Sequence, residues 1–172
     1  MSHCEDKHCK CGGAVAAQSL DEMEFERGIW YAAQCGDLGR VKNLLSRPRS
    51  NPDVRDSAGY TALHYAARNG HIGVCQCLIE NGADVNSVTR VGKATALCRA
   101  ASAGKKNIVE YLLSKKADAS IQDSDGKTAL HRAAESKHLS ICQILLKAAP
   151  SLQGIKDNKG NYADVGSQLI KP

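Results

Sequence analysis

With 172 residues, and 23 Lys and Arg against 18 Asp and Glu, the chain is long enough for one domain with a substantial core and has a net charge of +5. A composition 42% hydrophobic and 24% charged excludes disorder of the chain as a whole, and no run approaches the roughly 18 consecutive apolar residues of a membrane helix. With only five Tyr, one Trp and one Phe, the core has to be built from Ala, Leu, Ile and Val.

Residues 1–20 read as a flexible tail. Met1-Ser2-His3-Cys4-Glu5-Asp6 has no apolar run behind a basic head and no Gly at the second position, so neither a secretory signal nor myristoylation is expected. Ile170-Lys171-Pro172 offers no Cys for prenylation. The expectation is an intracellular protein, cytoplasmic or nuclear, whose 8 cysteines are reduced thiols. Cys35, Cys75, Cys77, Cys98 and Cys142 fall inside apolar helical patterns and read as small core hydrophobes. In the tail, Cys4, His8, Cys9 and Cys11 supply the four donors that tetrahedral zinc needs. Their spacing is not a pair of Cys-x2-Cys knuckles, and Gly12-Gly13 follows, so a weak metal site competes with a plain unstructured tail, which is the simpler reading. No other cofactor is expected.

From residue 21 the chain repeats. Asp56-Ser57-Ala58-Gly59-Tyr60-Thr61-Ala62-Leu63-His64-Tyr65-Ala66-Ala67 returns as Asp123-Ser124-Asp125-Gly126-Lys127-Thr128-Ala129-Leu130-His131-Arg132-Ala133-Ala134. Gly92-Lys93-Ala94-Thr95-Ala96-Leu97-Cys98-Arg99-Ala100-Ala101 is a variant between them, and Ile29-Trp30-Tyr31-Ala32-Ala33 is a worn copy upstream. The marker positions 29, 63, 97 and 130 divide the chain into a first capping unit (21–55), units at 56–88, 89–122 and 123–155, and a truncated last unit (156–172). In the first, Asp21-Glu22-Met23-Glu24 would place carboxylates at a helix start.

Each unit predicts the same local structure. An Asp-x-x-Gly turn reverses the chain, with Gly free to take positive φ. Thr61 and Thr128 cap a short helix rich in Ala, and Gly70 stops it in the left-handed conformation. A second helix carries Val74, Cys75, Leu78 and Ile79, matched by Ile108, Val109, Leu112 and Leu113 and by Ile141, Cys142, Leu145 and Leu146. One such helix pair cannot bury its own apolar face, so the units must stack into an all-α solenoid joined by β-turn loops. The last unit ends too soon for a full pair, which predicts a half-covered apolar face on the fourth.

Thr-Ala-Leu-His and Gly82-Ala83-Asp84-Val85-Asn86 are similar to the pattern of the ankyrin repeat family, with Ala62, Ala96 and Ala129 in place of its usual Pro. The resemblance spans about residues 26–162. It implies a non-enzymatic, monomeric adaptor in which turn tips and first helices form a concave surface for a protein partner. Carried onto this chain, that surface comprises Ser57, Ala58, Tyr60, Arg68 and Asn69, then Arg90, Val91, Lys93, Ser102 and Ala103, then Ser124, Asp125, Lys127, Glu135 and Ser136. The third unit departs most, with an extra turn residue, Cys98 for the first His and Lys105 for the second. The alternative function is a zinc- or redox-responsive module acting through the Cys/His tail.

Two further constellations invite chemistry. Cys98 lies between His64 and His131 in the repeat register, but equivalent positions on neighbouring helices are about 8–10 Å apart, too far for a nucleophile–base hydrogen bond. Each His is expected instead to bond the Thr of its own unit. Between Ser87 and Ala117, Arg90, Lys93, Arg99, Lys105, Lys106, Lys115 and Lys116 face a single acid, Glu110. That segment reads as a solvated surface or a docking patch for an acidic protein. Nucleic acid is disfavoured because no aromatics interleave the cations to stack bases.

Overall fold

The computed structural model describes residues 28–165. The Cys/His tail, the carboxylates at 21–24 and the last seven residues lie outside that range. Among the described residues eight α-helices form: α1 (Ile29–Cys35), α2 (Leu38–Leu45), α3 (Ala62–Asn69), α4 (Ile72–Glu80), α5 (Ala96–Ser102), α6 (Lys106–Ser114), α7 (Ala129–Glu135) and α8 (Leu139–Ala148), followed by a 3-10 helix (Pro150–Gly154). No strand forms among them; two isolated antiparallel bridges, Val88 with Thr95 and Lys156 with Tyr162, mark the turns.

The odd-numbered helices pack side by side as an inner row and the even-numbered ones stack behind as an outer row. Ala32, Ala33, Ala66, Ala67, Ala100, Ala101 and Ala133 are fully buried where inner helices meet, and such small side chains permit close approach. The outer row packs more loosely, so the stack bends toward its inner side. Leu63, Leu97 and Leu130 from the inner row interlock with Val41, Leu78, Ile108, Leu112, Ile141 and Leu145 from the outer row, all essentially inaccessible to solvent. Each such Leu or Ile contributes on the order of 1.5–3 kcal/mol by leaving water.

The helix limits follow from capping chemistry. Thr61 and Thr128 form capping boxes, their hydroxyls accepting the backbone N–H of His64 and His131. Thr95 caps α5 through the N–H of Cys98, at 3.2 Å. The left-handed residue ending each inner helix is Gly36, Gly70, Gly104 and then Lys137. A Cβ on Gly36 or Gly104 would lie 2.5 Å or 2.7 Å from the imidazole of His71 or His138 in the next unit. After Lys137 no further helix pair follows among the described residues, and a side chain is accommodated there.

Three turns share one construction. Asp56, Asp123 and Asp157 accept the N–H of Tyr60, Lys127 and Asn161 at 2.8–3.0 Å, while Gly59, Gly126 and Gly160 take φ of 74–81°. The third turn departs from the Gly expectation: Lys93, with φ 46°, occupies the left-handed conformation and Gly92 does not. The inserted residue moves the reversal one position on, and the Thr89 hydroxyl replaces the Asp carboxylate by accepting the N–H of Ala94 at 3.1 Å.

At the far end the half-covered face does not materialise. Leu152 of the 3-10 helix is fully buried, packed with α8, and Ile155, Ala163 and Val165 join the same cluster. The truncated unit thus covers Leu130, Ile141 and Leu145 with single side chains instead of a helix pair.

Candidate partner-binding face

The turns and the inner row together present one face. Ser57, Ala58, Arg90, Val91, Lys93, Ser124 and Asp125 stand exposed on the turns, and Val91, at 79%, is the most exposed large apolar side chain among the described residues. Arg68, Asn69, Ser102 and Glu135 are exposed at the C-terminal ends of the inner helices. Tyr60, Ala103, Lys127 and Ser136 are half-buried, and Asn69 donates to the Gln34 carbonyl at 3.2 Å.

The residue after each Leu-His or Leu-Cys organises this face: sequence reasoning missed Tyr65 and Arg132, and named Arg99 only as one cation of the basic segment. The available signal was a large polar side chain in an otherwise Ala-rich helix. Arg132 bonds Asp123 through Nε at 2.7 Å and Asp125 through Nη2 at 2.8 Å, with Glu135 at 3.5 Å, and Lys127 pairs with Glu135. Burial disfavours the Arg132 charge, but these carboxylates outweigh it and hold its pKa above the ordinary value. Arg99 turns the other way. Its Nη2 donates to the Tyr60 hydroxyl, and its guanidinium carbon lies 4.9 Å from the centre of the Tyr60 ring. Tyr60 in turn packs on Tyr65, ring centres 5.4 Å apart. The Tyr65 hydroxyl donates to Asp56 at 2.6 Å, and burial together with that bond pushes its pKa up.

The expected His–Thr bonds form: Nδ1 of His64 and His131 lies 2.8 and 2.9 Å from the Thr61 and Thr128 hydroxyls. Both rings also do something not foreseen. The Thr backbone N–H points at Nδ1, 3.2 Å away, so Nδ1 accepts and Nε2 carries the proton. Nε2 then donates across the junction, from His64 to the Ala94 carbonyl at 3.0 Å and from His131 to that of Asn161 at 3.3 Å. Burial lowers the His64 pKa to about 4, with Arg99 and Arg55 adding to the effect. Cys98 makes no such bridge, and a pocket of about 290 Å³ opens beside it, walled by Arg99 and Ser102 on one unit and Asp123 and Arg132 on the next. His71 and His138 tie backward to the carbonyls of Gln34 and Ser102, at 3.0 and 3.3 Å, while Lys105 lies over Gly70.

Cys98 has no hydrogen bond to either imidazole, and burial pushes its thiol pKa up. The same holds for Cys75, raised to about 12, and Cys142, so these groups stay neutral thiols in the core. The basic segment is dispersed: Arg90 and Lys93 sit on a turn, Arg99 on the inner row, and Lys105–Lys106 and Lys115–Lys116 at opposite ends of α6. Among the described residues no three His, Cys, Asp or Glu converge on a metal-sized site, and no helix is long and apolar enough to cross a membrane. The tail carrying Cys4, His8, Cys9 and Cys11 lies outside those residues.

The chain is 61% identical over 72 residues to human ankyrin repeat domain-containing protein 39, a match covering 42% of this chain and 39% of that protein. It is 34% identical over 109 residues to the mouse ankyrin repeat and SAM domain-containing protein 6, covering 63% of this chain and 12% of that one. A third relative, palmitoyltransferase akr1 of Schizosaccharomyces pombe, is 45% identical over 60 residues, 35% of this chain and 9% of its own. These repeats, which generally mediate protein–protein interaction, therefore also occur inside a protein named as an enzyme. The family profile for ankyrin repeats in three copies matches residues 29–123 and 84–158, the stretch that folds into the stacked helix pairs. The chain belongs to the ankyrin repeat family.

Proposed function

We propose that this protein is a non-enzymatic adaptor that binds a protein partner on the face built by its turns and inner helices. The observation that carries the reading is the division of labour among its side chains. Leu, Ile, Val, Ala and the buried His and Thr residues are committed to packing and to junction hydrogen bonds. Most polar and charged residues of the turn tips and inner-helix ends, among them Ser57, Arg68, Asn69, Arg90, Lys93, Ser102 and Glu135, are held by the stack and remain exposed. Because such a surface needs little reordering to bind, modest contacts yield useful affinity. Free cysteines in the core fit a monomer working in a reducing compartment, cytoplasm or nucleus. The N-terminal thiols are separable from this activity, so deletion of residues 1–20 leaves partner capture intact.

The experiment is quantitative affinity capture from cells with the intact chain, the Arg90→Glu/Lys93→Glu double variant and an outer-row control, Lys147→Gln. Partners lost with the double variant and retained with the control support the inner face. A partner set identical for all three proteins removes it.

A further inference from the structure

The inner face is electrically divided. On the fourth unit Lys127 and Arg132 are matched by Asp123, Asp125 and Glu135, all in ion pairs with one another. On the second and third units Arg68, Arg90, Lys93 and Arg99 share the surface with Asp56, whose two oxygens already accept the Tyr60 N–H and the Tyr65 hydroxyl. None of those four cations has an ion-pair partner among the described residues, whereas Arg132, one unit along from Arg99, has three carboxylates.

Arg99 is the most organised of the four. Its guanidinium lies over the Tyr60 ring, and the Tyr60 hydroxyl holds one Nη2 hydrogen. Among the described residues, its buried Nε has no acceptor and its Nη1 has no hydrogen-bond partner. A guanidinium tethered in this way with unused donors is suited to one incoming planar anion, bound through Nη1 and the second Nη2 hydrogen on the second-unit side, away from the pocket that Asp123 and Asp125 line. On the turn of the same unit, between Arg90 and Lys93, Val91 stands exposed and offers an apolar contact.

We propose that Arg99, stacked on Tyr60, is a carboxylate receptor that docks an acidic partner segment, an Asp/Glu-rich stretch with an apolar residue seated on Val91, across the second and third units. This rests on the adaptor reading and narrows it to one half of the face and one partner chemistry. Charge complementarity favours these two units because a partner carboxylate arriving at the fourth would have to displace Asp123, Asp125 or Glu135 from Arg132.

The test uses the full chain and a fluorescein-labelled Asp/Glu-rich dodecapeptide with a central Leu, followed by fluorescence anisotropy. Saturable, salt-sensitive binding is expected. Arg99→Gln should weaken it at least about tenfold, the loss of a charge-assisted bidentate contact, with Arg99→Lys intermediate and Lys147→Gln unchanged. In parallel, the Arg99 Nε–H resonance of the unaltered protein should shift on adding peptide, which does not depend on any variant folding. Absence of saturable binding, an affinity indifferent to Arg99→Gln, an unmoved Arg99 resonance, or tighter binding of a phosphoserine peptide or an RNA of similar length each overturns the proposal. If it fails while cellular partners are still lost with Arg90→Glu/Lys93→Glu, the carboxylate receptor falls and the adaptor reading stands; if those partners also persist, both fall.

Discussion

Replacing Cys98 by His tests the account of how the units are joined. At the junctions after the second and fourth units an imidazole accepts the Thr N–H through Nδ1 and donates through Nε2 to the Ala94 or Asn161 carbonyl. The matching acceptor after the third unit is the Lys127 carbonyl, which already takes the Asp123 N–H at 2.9 Å, as the Ala94 carbonyl takes that of Thr89 at 3.0 Å. Its second lone pair is free for the same use. The pocket beside Cys98 has room for a ring. Cys98→His therefore adds two hydrogen bonds, each worth about 1 kcal/mol net, against the loss of a well-packed thiol and the fixing of a longer side chain. The balance is a gain of about 1 kcal/mol, or roughly 2–4 °C in melting temperature for a chain of this size. Urea unfolding at pH 7.5 measures it, and amide hydrogen exchange should slow at the third–fourth junction in particular. The new bonds require a neutral ring, so the gain should shrink as pH falls below about 6.5. A variant less stable than the parent, or stabilised equally at all pH values, would show that the imidazole bridge is not what joins these units.

Other outcomes follow from the same geometry. His64 has a folded pKa of about 4 against 6.5 when unfolded, so the unfolded chain binds the extra proton between those values and stability must fall as pH drops through that window. The loss from this group is about 3 kcal/mol by pH 4, read from urea midpoints against pH, and the His64 ring resonances should not titrate near 6.5. Gly59→Ala puts a Cβ 2.4 Å from that of Arg90 at φ +81° and should cost about 3 kcal/mol or more, while Gly82→Ala, at φ +89° with open space around it, should cost about 1–2 kcal/mol. Thermal melts of the two variants check the difference. Mass-mapped alkylation of the folded protein should label exposed Cys35 well before Cys75, Cys98 and Cys142, which become reactive only on unfolding.

The units were legible because their determinants are local. The Thr cap, the Leu and Ala pair behind it and the Gly that ends the helix act within about ten residues, and the step from Leu63 to Leu97 to Leu130 follows from stacking identical parts. The junctions were only half legible. The bond of His64 to Thr61 spans three residues, but its bond to the Ala94 carbonyl spans 30, and nothing in either segment names the other. The tie between Arg99 and Tyr60 spans 39 residues and requires knowing which way a side chain leans along the inner row. The third turn misled because Gly92 invites the left-handed conformation by its identity, whereas the inserted residue shifts the reversal to Lys93. The far end departs from the sequence expectation because burial there needs no helix pair: Leu152 and Val165 cover the face as single side chains.

The most direct test of the central claim, that the turns and inner helices bind while the rest supports them, is a hydrogen-exchange footprint of the complex with the most enriched captured partner. The account predicts protection on the second and third turns and on α3 and α5, with α4, α6 and α8 unchanged. Protection confined to the outer helices would contradict it.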